Sequence, residues 1–364
     1  MADKPVVVDW QNDAYGCVVC DHKDPGSVYG EEFGKATAPG LPVAVLEKMA
    51  EVAKADGKTV RLYDLADMVQ GTHLEGATTP AKFLVIRDGL SWLGTSQGFF
   101  EGLTGFEILK RLEAELDGAH RNVRELMGKG PNRKVRTLRC RHHMAFAKEY
   151  QEGNVGEGRM RVNGFPHHPA LQTLRDAFVQ FLTQCGDPHI QEREVLMEVN
   201  HYYDVRKAFI GYHGDGERGL VTGFRLGRAA FRFPFHFQCR QKAPKEMNAE
   251  RKLAAWGKPM TVYVNRGDVY FMSHKATGSD WMKAMSAGDS FFVHAAGRYE
   301  HPQIKQTRKL DLKTELRMAA EAKAKAEAKK KSKANTDTQS MDAFVEPAKK
   351  RPREEESAGP SESP

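Results

Sequence analysis

From about residue 190 the chain becomes a series of short segments rich in aromatic and β-branched residues, several of which alternate with polar residues. Glycine, proline and charged residues separate these segments, which include EVLMEVNHYY, LVTGFRLG, MTVYVNRGDVYFM and SFFVHAAG. Alternation with a period of two is typical of strands that bury one face. Many short strands with little intervening helix predict an antiparallel sandwich or barrel, which we place at residues 191–312.

The preceding part of the chain has a mixed pattern. Apolar residues recur at helical spacing in 41–58, 106–119 and 170–186, and each of these segments reaches a glycine near its end. KFLVIRDGL (82–90) is a strand candidate, and so is TVRLYDLA, which follows the first helix. We therefore predict an α+β protein in which residues 1–190 form an N-terminal α/β extension supporting the β-rich core.

The C-terminal residues 313–364 are rich in Lys, Ala and Glu and offer no apolar face to bury, which predicts a disordered basic tail. Within it the basic run KKRPR (349–353) resembles a nuclear-import signal; the alternative is a solubilising charged tail. The net charge of +7 favours a nucleic-acid partner, although an ordinary basic protein would share it. No apolar run is long enough for a membrane span, and no secretory signal is visible. Five cysteines indicate a reducing compartment rather than a disulfide framework.

The segment YHGDGER (212–218) carries the first candidate metal ligands. His213 and Asp215 are two residues apart, so on an extended strand end their side chains point to the same face. Gly214 between them has no side chain to crowd the approach. An imidazole and a carboxylate supply two ligands of the 2-His-1-carboxylate triad of non-haem iron enzymes. The alternative is a surface pair with no metal.

A third ligand has to come from another strand. His294, in the apolar segment SFFVHAAG, is the preferred candidate. His274, His236 and His301 are rivals for the same role.

A set of short motifs follows in order along the core: N-x-Y at 200–202, H-x-D at 213–215, R-L-G at 225–227, G-D-x-Y-x-M-S at 267–273, H-A-A-G at 294–297, and Arg308. In this order they resemble the AlkB-like and TET-like branch of the Fe(II)/2-oxoglutarate-dependent dioxygenases. The resemblance covers about a third of the chain and depends on the complete set, since no single motif is specific.

The resemblance implies a double-stranded β-helix, or jelly-roll, core that uses Fe(II), 2-oxoglutarate and O₂. It also implies that Asn200 and Tyr202 hydrogen-bond the cosubstrate, and that Arg308 binds its distal carboxylate. Two features depart from the family. About 80 residues separate Asp215 from His294, which a basic inserted loop at 238–259 would explain. The second arginine of the family is missing after Arg308, so ascorbate could act instead of, or in addition to, 2-oxoglutarate.

The expected reaction is hydroxylation of an alkylated or methylated nucleobase in DNA or RNA. The alternatives are a protein side-chain hydroxylase of the prolyl or lysyl type, and a non-catalytic nuclear binding module on the same fold. Four aromatic residues could line a base pocket or could equally be core: Tyr203, Phe209, Tyr212 and Phe224. A basic stretch could follow a phosphate backbone or be a solvated strand face; its cations are Arg133, Lys134, Arg136, Arg139 and Arg141.

Two further features allow two interpretations each. Cys17-Val-Val-Cys20, with His22 nearby, resembles half of a zinc site, and the segment Cys140-Arg-His142-His143 could complete it; the alternative is two buried thiols. Arg218 directly follows the H-x-D element, so it either faces the substrate or pairs with an acid such as Glu217.

Overall fold

The computed structural model describes residues 13–21, 36–127, 134–138, 141–157, 159–205, 208–216, 218–228, 233–242, 253–280 and 289–297. The chain divides into two compact units, residues 1–312 and 313–364, and all of the described residues belong to the first. The predicted tail, with its import-like signal, lies outside the described residues. His301 and Arg308 also lie outside them, although they belong to the first unit.

Four helices and fourteen strands lie in the described part of the chain. The helices are α1 (Val43–Ala55), α2 (Gly89–Ser96), α3 (Gly105–Gly118) and α4 (Pro169–Gln184). The strands are β1 (Ala14–Asp21), β2 (Val60–Asp64), β3 (Lys82–Ile86), β4 (Arg124–Met127), β5 (Lys134–Thr137), β6 (His142–Ala147), β7 (Val162–Gly164), β8 (Val195–Tyr202), β9 (Phe209–His213), β10 (Val221–Leu226), β11 (Phe233–Lys242), β12 (Leu253–Val264), β13 (Val269–Met272) and β14 (Ser290–Gly297).

The helices predicted from periodicity are confirmed as α1, α3 and α4. The sequence also explains where α3 begins: the Thr104 hydroxyl accepts a hydrogen bond from the Glu107 backbone N–H, while the Glu107 carboxylate accepts one from the Thr104 N–H. The predicted strand 82–90 is shorter than expected, because β3 ends at Ile86 and α2 begins at Gly89. None of the described helices has the length and apolar composition needed to cross a bilayer.

Two sheets dominate the fold. The larger has eight strands in the order β2-β3-β13-β10-β1-β8-β6-β7, and the smaller has four in the order β12-β11-β14-β9. All pairings within them are antiparallel except that of β6 with β7. A separate two-stranded sheet joins β4 and β5. The predicted antiparallel β-rich core is therefore confirmed at the level of a mixed fold with few helices, compatible with a β-sandwich.

Each face of the larger sheet has its own neighbour. On one face, alternate residues such as Tyr15, Cys17 and Val19 join the same buried cluster as residues of all four helices. On the other face, the rings of Phe83 and Phe237 lie 4.8 Å apart, which packs the larger sheet against the smaller one. The alternation of apolar residues along each strand thus supplies both interfaces.

Strand β1 lies in the middle of the larger sheet. It pairs along its length with β8 on one side and with β10 on the other. Strands from before residue 190 and strands from after it are therefore mixed in this sheet. Both β8 and β10 are hydrogen-bonded to a neighbouring strand on each side.

A buried ion pair fixes the end of β1. Asp21 accepts hydrogen bonds from the backbone N–H groups of Gly219 and Leu220 with one carboxylate oxygen. Its other oxygen lies 2.9 Å from Nη1 of Arg193, and neither side chain of this pair is exposed. Arg193 also pairs with Asp187 at 2.7 Å. Asp21 thereby ties β1 to the segment that enters β10.

We predict that Asp21→Ala lowers the free energy of unfolding by about 3–5 kcal/mol, because two buried backbone N–H groups lose their acceptor and the buried Arg193 guanidinium loses one of its two carboxylate partners. Chemical denaturation followed by circular dichroism measures this effect. The control is Asp67→Ala, which removes an exposed carboxylate from the surface and should change stability by at most about 0.5 kcal/mol. Equal stability of the two variants would show that the buried pair does not hold β1.

Candidate metal centre

Strand pairing brings the two predicted histidine ligands together. His213 is the last residue of β9, and His294 lies opposite it on β14. Their ring centroids are 4.4 Å apart. His294 is buried, and His213 is half-buried. The histidine that the sequence favoured as third ligand is therefore a direct cross-strand neighbour of His213.

Asp215 completes the group from the loop after β9. Its Oδ1 lies 3.8 Å from Nε2 of His213, and its Oδ2 lies 3.4 Å from Nε2 of His294. One potential ligand atom from each of the three residues lies within 4.8 Å of the others. Ligands about 2.1 Å from a metal ion in neighbouring positions are about 3 Å apart, and the two pairs of Asp215 with a histidine, at 3.8 and 3.4 Å, are close to this spacing.

The protonation states suit a metal. The Nδ1 atom of His213 lies 2.7 Å from the Gly211 carbonyl oxygen, so it carries the proton and leaves Nε2 as a lone-pair donor. Burial, together with the neighbouring His294, lowers the pKa of His213 to about 4 and keeps the imidazole neutral. Burial acts to raise the pKa of Asp215, but the Arg218 guanidinium and the two histidines outweigh it and hold that pKa well below its ordinary value.

Neighbouring groups hold Asp215 in place. Arg218 donates a hydrogen bond of 2.9 Å to its Oδ1 and pairs through its other terminal nitrogen with Glu198. The backbone N–H of Asp215 donates to the Thr277 carbonyl oxygen at 2.9 Å. Of the two interpretations of Arg218, pairing with acids is therefore the one observed, and Asp215 and Glu198 are the partners.

The turn after β13 approaches the H-x-D element closely. A Cβ added to Gly278 would lie 2.8 Å from Cα of Gly214, and the φ of Gly278 is +71°. Any side chain at position 278 would therefore push the two loops apart. The two glycines allow the carbonyl of Thr277 to reach Asp215.

A cavity between the sheets opens beside the three ligands. Besides these ligands its walls include aliphatic side chains, Arg218 and four aromatic rings, those of Tyr202, Phe233, Phe235 and Tyr270. The rings of Phe235 and Tyr270 are 4.9 Å apart. A mostly apolar pocket with a few polar groups at one end is the usual form of a small-molecule site.

The four aromatic residues predicted from sequence do not line this cavity. Phe224 packs against Phe178 in the helix-facing core. Phe209 packs with Ala295, and Tyr203 lies against His142. Their proximity in sequence to the H-x-D element was misleading, because alternate residues on a strand point to opposite faces.

The residues expected to bind the cosubstrate lie along β8. Tyr202 is buried, lines the cavity and has its ring 4.6 Å from that of Phe233. Asn200 is half-buried, and its Oδ1 accepts a hydrogen bond of 2.6 Å from Nε of Arg141. Glu198, Asn200 and Tyr202 share one face of the strand, since they are two residues apart. Arg308 lies outside the described residues, and its role stays a prediction.

Two rival histidines have other partners. The ring of His236 contacts the Thr261 hydroxyl at 2.9 Å and the Gly297 carbonyl at 3.1 Å. Nε2 of His274 lies 3.2 Å from the Ser279 hydroxyl. Among the described residues, His213, Asp215 and His294 form the one group of three such side chains close enough to share an ion.

The possible zinc site does not form around Cys17 and Cys20. Both lie on β1, three residues apart, so their side chains point to opposite faces. Cys17 belongs to the helix-facing core, whereas Cys20 lies near Glu198 and Arg218 on the other face. Burial raises the pKa of both thiols well above the ordinary value. The observed state is the alternative, two buried free cysteines.

Glu198 and Thr277 were missed as parts of the site, and Tyr270 was quoted only as the tyrosine of the G-D-x-Y-x-M-S motif, without a role. For Glu198 a signal existed, because it precedes Asn200 by two residues on the same strand. The contributions of Thr277 and Tyr270 depend on pairings distant in sequence, which no local pattern reveals.

Comparison with known proteins adds one relative. No protein-family model matches this chain. An uncharacterized protein of Acanthamoeba polyphaga mimivirus is 28% identical over 253 residues, which cover 70% of this chain and 85% of the viral protein.

We predict that Arg218→Met weakens binding of Mn(II), used as a redox-stable divalent probe, by about 10- to 100-fold, because residues that hold a metal ligand in place contribute on that scale. Titration followed by electron paramagnetic resonance measures free Mn(II). Arg159→Met is the matched control, since Arg159 forms an exposed ion pair with Glu157. Unchanged Mn(II) affinity in a folded Arg218→Met protein would contradict this role.

Proposed function

We propose that this chain is an Fe(II)-dependent dioxygenase in which His213, Asp215 and His294 hold the iron. The observation that carries the proposal is the convergence of two imidazole rings and one carboxylate at the end of a cavity. Two histidines and one carboxylate on one side of an iron ion leave positions free for a cosubstrate and O₂.

The path of the chain supports a jelly-roll, the double-stranded β-helix implied by the resemblance. Strands β8, β10 and β13 belong to the larger sheet, while β9, β11, β12 and β14 belong to the smaller one. The chain thus passes repeatedly between two facing sheets, as in an eight-stranded jelly-roll. The eighth strand would be β1, which lies between β8 and β10.

The proposed cosubstrate is 2-oxoglutarate, with ascorbate as a possible replacement or addition. In the overall reaction O₂, 2-oxoglutarate and a substrate C–H bond give succinate, CO₂ and the hydroxylated substrate. Bound iron would supply the activation of O₂. The chain's own residues would orient the reactants: Asn200 and Tyr202 donate hydrogen bonds to the cosubstrate, and Arg218 keeps Asp215 ionised and in position. The aromatic walls exclude water.

The proposed substrate is an alkylated or methylated nucleobase in DNA or RNA. The net charge of +7, the basic segment around Lys134 and the import-like run at 349–353 favour a nuclear polyanion. A protein side-chain hydroxylase and a non-catalytic binding module on the same fold remain the alternatives. An enzyme acting on a base would need it unstacked to reach the metal.

The proposal predicts that anaerobic addition of Fe(II) and 2-oxoglutarate produces a visible charge-transfer absorption in the wild-type protein. Asp215→Ala should abolish it, because the iron loses its carboxylate ligand. The matched control is Asp176→Ala, which removes a partly exposed carboxylate of α4 and should leave the absorption intact. Absence of the absorption in the wild type, with Fe(II) shown to bind, would exclude 2-oxoglutarate as the cosubstrate.

The substrate class requires a separate measurement. Succinate formation stimulated by a methylated oligonucleotide, together with oligonucleotide binding that weakens with salt, is the expected result. Stimulation by a peptide and indifference to nucleic acid would support the side-chain hydroxylase instead. No Fe(II) uptake and no succinate would support the binding module.

A further inference from the structure

A polar surface adjoins the metal centre where the smaller sheet stops. The smaller sheet ends at β9, whereas the larger sheet continues from β8 to β6 and β7. His143 of β6 pairs in register with Asn200 of β8, so their side chains share the face that carries Glu198 and Tyr202. Arg141 lies two residues before His143 and reaches the same face, as its hydrogen bond to Asn200 shows.

Arg141 differs from Arg218 in its contacts. Arg218 is committed to Asp215 and Glu198. Arg141 is half-buried, and its one hydrogen bond to a described residue is from Nε to the neutral amide oxygen of Asn200. Within the described ranges its guanidinium contacts no carboxylate. Its charge nevertheless acts on the Tyr202 phenol, whose pKa it lowers against the larger, raising effect of burial.

Asn200 and Tyr202 offer hydrogen-bond donors on the face of Arg141, while the Glu198 carboxylate on that face is paired with Arg218. The contact with Arg141 uses Oδ1 of Asn200, so the amide Nδ2 of Asn200 presents two N–H groups. The Tyr202 hydroxyl stays protonated, because burial raises its pKa. Neither this hydroxyl nor the Asn200 amide nitrogen donates to any described residue. A guanidinium, an amide and a phenol that offer donors without acceptors form a site for an anion.

The position of β1 limits where another cation can enter. Strand β1 is hydrogen-bonded to both β8 and β10, so the two edges that face each other across β1 are already paired. A cation beside the face of β8 that carries Asn200 and Tyr202 therefore has to come from the neighbouring strand β6 or from a loop. Arg141 is such a cation, and it comes from the part of the chain before the predicted core.

We propose that Arg141, together with Asn200 and Tyr202, binds a carboxylate of the acidic cosubstrate. This inference rests on the proposed function and extends it, because the resemblance placed the carboxylate anchor at Arg308. A small carboxylate fits better than a nucleic-acid phosphate, since Arg141 is held by Asn200 on the inner face beside the metal ligands. The charge of Arg141 also acts on the His213 imidazole, which places the guanidinium on the same side as the candidate metal ligands.

The test measures the dissociation constant of 2-oxoglutarate for full-length protein loaded with Fe(II) under anaerobic conditions, from the charge-transfer absorption. Arg141→Gln should weaken 2-oxoglutarate binding at least tenfold. Arg141→Lys should lie between it and the wild type, because lysine keeps the charge but loses the planar pair of donors. The matched control is Lys134→Gln, which removes an exposed cation of β5 and should have no effect. Mn(II) affinity without 2-oxoglutarate should be equal in all four proteins.

The outcomes separate this inference from the proposed function. If the wild type gives the absorption and Arg141→Gln binds 2-oxoglutarate equally well, the anchor is wrong while the dioxygenase assignment stands. If Arg141→Gln instead loses affinity only for a short single-stranded oligonucleotide, Arg141 contacts phosphate and the proposal is overturned. If the wild type binds Fe(II) but shows no absorption with 2-oxoglutarate, the proposed cosubstrate itself fails.

Discussion

The hydrogen bonds from Gly219 and Leu220 to the buried carboxylate of Asp21 connect the fold to the candidate metal centre. Asp21 ends the central strand β1, and the two backbone groups follow directly after Arg218. Arg218 in turn holds Asp215, the carboxylate of the candidate site. One end of the largest sheet therefore fixes the loop on which the ligand geometry depends. Asp21 is also paired with Arg193 in a fully buried contact, so loss of either charge would remove part of the compensation of its partner.

The centre combines this fixed carboxylate with a cross-strand pair of imidazoles. The pairing of β9 with β14, whose register shifts between His294 and Ala296, places His213 opposite His294. The Gly211 carbonyl fixes which ring nitrogen of His213 faces the other two residues. Arg218 and the two histidines favour the charged carboxylate despite its burial. The protein thus brings two imidazole rings and one carboxylate together without a metal ion, which would lower the cost of assembling a metal site.

The sequence was sufficient for the local parts of this arrangement. Alternating apolar residues predicted the β-rich core, and the spacing of His213 and Asp215 on a strand end predicted that they lie together. His294 was preferred because of its apolar strand, and the structure brings it to the other two. The residues that complete the surroundings were not predictable in this way, because Thr277 and Tyr270 reach the site through pairings of distant segments. Arg141 was identified from sequence only as one cation of a basic stretch. The central position of β1 was hidden for the same reason: nothing in AYGCVVCD specifies that it pairs with β8 and β10. The helix within 41–58 follows from its periodicity. The periodicity of a strand likewise places Cys17 and Cys20 on opposite faces, which argues against a shared zinc ion.

The claim that His213, Asp215 and His294 bind one metal ion is tested most directly by anomalous X-ray diffraction from crystals grown with Fe(II) under nitrogen. The account predicts a single iron peak bonded to Nε2 of both histidines and to one oxygen of Asp215, at about 2.0–2.2 Å from each. An iron peak at other residues, or none between these three in crystals that contain iron, would contradict it.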